Sequence, residues 1–119
     1  MKNVKDQVAD ALCTVTDNVS DAYPSDWAHF PAIQYTEEDN SVYERSCNKE
    51  DKAKVRYRVD IWHNESTSAS ALAVDDAVAA LGLVRTMCQD VPDPSGLKHK
   101  VMRYEGIIDM VSDIVYWNN

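Results

Sequence analysis

From Lys54 to His63 the chain reads KVRYRVDIWH. Apolar and polar side chains alternate, placing Val55, Tyr57, Val59, Ile61 and His63 on one face of an extended strand and Lys54, Arg56, Arg58, Asp60 and Trp62 on the other. A strand with one face on a core and the other toward water has this period of two. The period then changes. Ala71, Val74, Ala77, Val78 and Leu81 recur at helical spacing, which predicts a helix capped near Asn64 or Ser66, running to about Leu81 and stopped at Gly82. An earlier helix over roughly Asn3 to Val15 is drawn by the stripe Val4, Val8, Ala11, Leu12 and Val15.

Between these elements the pattern is weaker. Thr16 to Pro31 is broken by Asp17, Asn18, Pro24 and Asp26, so it has room for no more than a short strand near Val19 to Tyr23, with Trp27 and Phe30 covering the edge of the core. Ala32 to Thr36 is a short strand with Ile33 and Tyr35 on one face. From Glu37 to Ala53 no core face can be drawn, and a connection of that length is either a long polar loop or an extended hairpin arm. Leu83, Val84 and Met87 fit a short strand or a last helical turn. Pro92-Asp93-Pro94-Ser95-Gly96 is a turn, Lys98 to Ile108 alternates as a strand, and Asp109 to Trp117 supplies a last strand containing Ile114 and Tyr116. The order αββαββ, without regular βαβ alternation, predicts an α+β domain: an antiparallel or mixed sheet of about four strands with two helices on one face.

Length and composition fit a single domain over residues 1–119, since 45% hydrophobic and 27% charged residues with 3 Gly and 4 Pro are ordinary for a globular chain. A net charge of −8 repels phosphate backbones and argues against specific duplex recognition. Cys13, Cys47 and Cys88 are odd in number and without a CxxC pair, so the expectation is packing or free thiols in a reduced compartment. No stretch has the apolar core of a signal peptide or membrane span, and the sequons at Asn18 and Asn64 are read as chance matches.

Candidate chemistry is sparse. No GxSxG, P-loop, GxGxxG, HExxH or EF-hand pattern occurs, and the expectation is a protein without cofactor, metal or catalytic residues. His29, His63 and His99 are isolated in sequence, although His63 and His99 would meet if their strands were neighbours on a common face. The acidic runs Glu37-Glu38-Asp39 and Asp75-Asp76 read as solvated faces. Lys54, Arg56 and Arg58 form a basic stripe, but Tyr57 lies on the opposite face, so salt bridges to acidic neighbours suit it better than base stacking.

The runs RYRVDIWHNESTSASALAVDDAVAAL and KHKVMRYEGIID, with PAIQYTEED before them, resemble the tail-completion, or tail-terminator, proteins of long-tailed bacteriophages and prophages, in an order that covers nearly the whole chain. The resemblance implies an α+β subunit that assembles as a ring, commonly a hexamer and in some cases only on the tube, capping the tail tube and joining it to the head connector. Its partners would be further copies of the chain, the tail-tube protein and the connector protein, with DNA passing through unbound and no membrane contact. The protein would be made in the bacterial host cytoplasm and reside in the virion tail or neck. Within that expectation Arg56, Arg58 and Trp62 are a candidate subunit interface, and Glu37, Glu38, Asp39 and Arg45 a candidate lumen or arm. Two alternatives remain: another connector or minor tail component of the same module, and a small ligand-binding domain or enzyme.

Overall fold

The computed structural model describes residues 1–116, and the expected strand's Trp117 lies outside them. Its elements are α1 (Lys5–Cys13), β1 (Val19–Ser20), β2 (Ala32–Ser46), β3 (Lys49–His63), α2 (Ser68–Ala79), β4 (Val84–Val91), β5 (Lys98–Asp109) and β6 (Val115–Tyr116). The two helices and three of the long strands, β2, β3 and β5, follow the expected order; the ambiguous segment after α2 is the strand β4, the expected last strand shrinks to the two residues of β6, and β1 is added. The sheet runs β1-β2-β3-β5-β4, with β6 pairing β5 beyond the end of β4. It is mixed, because β1 is parallel to β2 while every other pairing is antiparallel.

The alternation of β3 is realised as written. Val55, Tyr57, Val59 and Ile61 are fully buried beside Met102, Tyr104 and Ile108 of β5, and Val8 and Leu12 of α1 with Val74 and Val78 of α2 complete the same core. Both helices therefore lie on one face. They are shorter than the periodicity suggests: α1 ends where the Thr14 hydroxyl donates to the Ala11 carbonyl, and α2 starts after Thr67 rather than at Asn64 or Ser66. Two buried tyrosines lie opposite each other in the β3–β5 register and tie the helices to the sheet. Tyr57 Oη accepts the Val4 amide N–H at 2.9 Å, just before α1, and donates to Glu37 Oε1 at 2.9 Å. Tyr104 Oη donates to Asp75 Oδ1 of α2 at 2.9 Å. Burial, foremost, pushes both phenols above the ordinary tyrosine range.

The segment that has no core face in sequence is a hairpin arm, the second of the two forms expected for it. β2 and β3 pair over their full length and turn at Cys47-Asn48, whose φ angles of 51° and 63° are those of a type I′ turn. Ser41 to Lys49 are exposed throughout, so the arm projects roughly 15 Å beyond the body of the sheet at 3.3 Å per residue. The molecule is correspondingly long, 52 × 23 × 22 Å. Turning to the other end, β4 is the outer strand there, and Ile114 sits in the exposed turn before β6 rather than in a strand.

Candidate functional site

The sheet face opposite the helices carries the even-numbered side chains of β3, and its chemistry follows from cross-strand pairing. Arg58 stands opposite Thr36 on one side and Arg103 on the other, while Asp60 stands between Gln34 and Val101. Two adjacent arginines on neighbouring strands need carboxylates, and the bulge between Glu37 and Asp39 delivers one. Glu38 accepts from Arg103 Nε at 2.7 Å and Nη2 at 3.3 Å, and lies 3.3 Å from Arg56 Nε. The Arg103 hydrogen bond, above all, holds the Glu38 carboxyl below the ordinary carboxylate range. Arg58 makes a forked contact to Asp60 at 3.0–3.2 Å.

Asp60 is 4% exposed and also faces His99 Nε2 at 2.9 Å. The His99 ring stacks on Trp62 at 4.4 Å, and Trp62 Nε1 donates to Asp93 at 3.3 Å. Tyr23 and Trp27, from the loop before β2, close over Trp62 with ring centroids 5.7 Å away. Two networks thus share this face, one joining Arg56 and Arg103 through Glu38 and one running from Arg58 through Asp60, His99 and Trp62 to Asp93, with Arg56 and Arg58 still 42% and 36% exposed.

The expected site residues are distributed unequally over this geometry. Arg56 and Arg58 share the open face as the alternation requires, and the buried Arg56 Nε makes no hydrogen bond. Trp62 is on that face too, but only 4% exposed, so Tyr23, Trp27 and His99 of the same chain already cover the surface a neighbour would touch. Glu37, Glu38 and Asp39 do not form one acidic stripe. The bulge turns Glu37 to the helix side, where Tyr57 and Asn40 donate to it, and Glu38 to the open side; Asp39 accepts from Ser41. Arg45 lies near the arm tip, where Nη2 donates to the Asn48 carbonyl.

His63 and His99 are on neighbouring strands, yet the register pairs Trp62 with His99, so the two imidazoles point to opposite faces. His63 stacks with Phe30 instead. Asp75 and Asp76 also separate: Asp75 accepts from Tyr104 and pairs with Arg85 at 3.3 Å, while Asp76 is exposed. No group of three or more metal-ligating side chains converges among the described residues. The three cysteines are free and exposed. Among the described residues no helix is long and apolar enough to cross a membrane. Sequence reading missed the cover that Tyr23 and Trp27 place on Trp62, and it missed the apolar exposure near the base of the arm, where Val42 is 50% and Tyr43 40% exposed.

No protein-family model matches the chain, and no curated protein is significantly similar to it.

Proposed function

We propose that this chain is a structural subunit that assembles into a ring, caps the tail tube of a long-tailed phage and joins the tail to the head connector. The observation that carries the reading is the hairpin arm: a two-stranded ribbon, exposed from Ser41 to Lys49 and presenting Val42 and Tyr43 near its base, extends from an otherwise packed α+β body. An isolated ribbon gains little stability from its own burial, and apolar side chains exposed along it suit contact with another molecule. A heterologous contact in which each arm engages the next copy closes into a ring when the rotation between copies is a whole fraction of a turn. Arg56 and Arg58 on the open sheet face would add charged contacts at the rim of that interface, where they govern register and association rate more than affinity. The net charge of −8 suits a passage that DNA traverses without being held.

The test is native mass spectrometry with negative-stain imaging of the protein alone and mixed with its cognate tail-tube protein. The wild type is expected to form rings on tube ends. The double variant Val42→Asp, Tyr43→Asp is expected to stay folded, since both side chains are at the surface, and to lose the caps. A wild-type protein that leaves tube ends bare removes the reading, and a double variant that caps as well as the wild type removes the arm from it.

A further inference from the structure

We infer that the outer edge of β4 is the contact surface for a second copy of this chain, the two β4 strands pairing antiparallel about a two-fold axis at Cys88 so that two sheets become one; the inference is independent of the ring reading. β4 is hydrogen-bonded on one side only, to β5, so backbone N–H and C=O groups along its eight residues point outward with no strand to meet them among the described residues. Native sheets guard such an edge with lysine, proline or a covering element. The sequence VRTMCQDV contains no lysine or proline, and six of its eight residues are exposed. An unguarded edge of this length is a template for another strand.

The side chains of β4 select its own copy as the partner. The bulge at Thr86 decides which of them share a face: Arg85 stands opposite Tyr104, Cys88 opposite Met102 and Asp90 opposite Lys100, all on the helix side of the sheet. Without that extra residue Arg85 and Asp90 would point to opposite faces. A two-fold axis perpendicular to the sheet at Cys88 keeps the helix sides together and sets Asp90 of each copy against the Arg85-Thr86 bulge of the other. Both charges have partners within the chain and remain open to more: Asp90 is 79% exposed beside Lys100, and Arg85 47% exposed beside Asp75. The pairing strings them into a row of alternating sign, Lys100 and Asp90 followed by Arg85 and Asp75 of the second copy, twice per dimer. The helices agree with it. α2 runs back along β4, from Ser68, which lines the same cavity as Val91, to Ala79 shortly before Val84. Asp75 reaches Arg85 from one flank of α2, and Leu72, three residues earlier on that flank, is 68% exposed. The same axis lays the two α2 helices side by side above the joined sheet and gives Leu72 its own counterpart to pack on.

The test is sedimentation and native mass spectrometry of the reduced full chain, as wild type and as two charge reversals, Arg85→Glu and Asp90→Lys. The wild type is expected to form dimers at or below roughly 100 µM. Each reversal alone sets like charges opposite each other at both ends of the strand pair and should weaken the dimer roughly tenfold. Mixed together, the two variants restore opposite charges at both ends and should associate with each other about as tightly as the wild type does with itself. A folding defect cannot produce that rescue. In a Cys13→Ser, Cys47→Ser background, oxidised glutathione should link Cys88 to its counterpart, since directly opposed residues of antiparallel strands lie about 4.5–5.5 Å apart at Cα, within the span of a disulfide. A mixture that associates no better than either variant alone, or a dimer that yields no Cys88 link, would overturn the pairing. So would a wild type still monomeric at roughly 100 µM, or association wholly lost in Val42→Asp, Tyr43→Asp, which would give the contact to the arm.

Discussion

Replacing Tyr57 by phenylalanine removes one oxygen from a fully buried ring and changes nothing else in the side chain. That oxygen has two partners. The Val4 N–H, on a residue 8% exposed, loses its acceptor, and Glu37 loses one donor while keeping the Asn40 amide at 3.2 Å. Stranding a buried amide costs about 1–3 kcal/mol, and losing a hydrogen bond to a partly exposed carboxylate about 1 kcal/mol more. The expected destabilisation is therefore about 2–4 kcal/mol, or a Tm lower by roughly 10–15 °C for a chain of this size. Urea denaturation measures it, and hydrogen exchange locates it: Val8 and Leu12 of α1 should lose more protection than the amides of β3.

The same substitution has a signature at high pH. Folding raises the phenol pKa of both Tyr57 and Tyr104, so the protonated phenols stabilise the native state fully below the unfolded value near 10, and that stability is lost as pH rises above it. The slope contributed by the two groups approaches about 2.7 kcal/mol per pH unit, and Tyr57→Phe should halve it. A loss under 0.5 kcal/mol at neutral pH, or an unchanged alkaline slope, would refute the assignment of this oxygen as the tether of α1.

Glu38→Gln should lower stability by about 1 kcal/mol at pH 7, since the carboxylate is 20% exposed and bonded to Arg103. Its pKa is depressed, so the advantage of the wild type is present above the unfolded value and disappears as pH falls below about 4; equal stabilities at pH 7 would rule this out. Gly82→Ala should cost at least ~2 kcal/mol, because φ is +94° and a Cβ there would lie 2.5 Å from the Val115 carbonyl oxygen. Gly96→Ala, at φ +84° with open space around it, should cost only about 1 kcal/mol, and urea midpoints that fail to separate the two would remove the contact with β6 from the explanation.

The fold was legible where burial and periodicity coincide. In β3 and β5 alternate side chains enter one core, and in α1 the stripe is wide enough to mark a helix, so these elements stand close to where the pattern puts them. The arm was half legible for a physical reason. From Ser41 to Ser46 and from Lys49 outward, strand is held by pairing between β2 and β3 rather than by a buried face, and no hydrophobic period records that. β4 was ambiguous for a related reason: it is an exposed outer strand with a bulge between Arg85 and Met87, which breaks its alternation. The alternation put Trp62 correctly beside Arg58, but its cover comes from Tyr23 and Trp27, far away in sequence.

One strand connects all of these places. β3 runs as one strand from the arm at Lys49, past Tyr57, to Trp62 and His63 at the far end; two of the three register shifts fall on its partner β2, at Glu38 and Tyr43, and one falls on β3 itself, at Asp51 near the base of the arm. Mechanically it is a beam. A load applied at the tip passes along a single backbone, through the irregularity at Asp51, to the ring that tethers α1 and across to the neighbouring ring that tethers α2. An arm seized by another molecule would therefore move with the helices as one rigid lever, and whatever grips the tip would fix the orientation of the whole body.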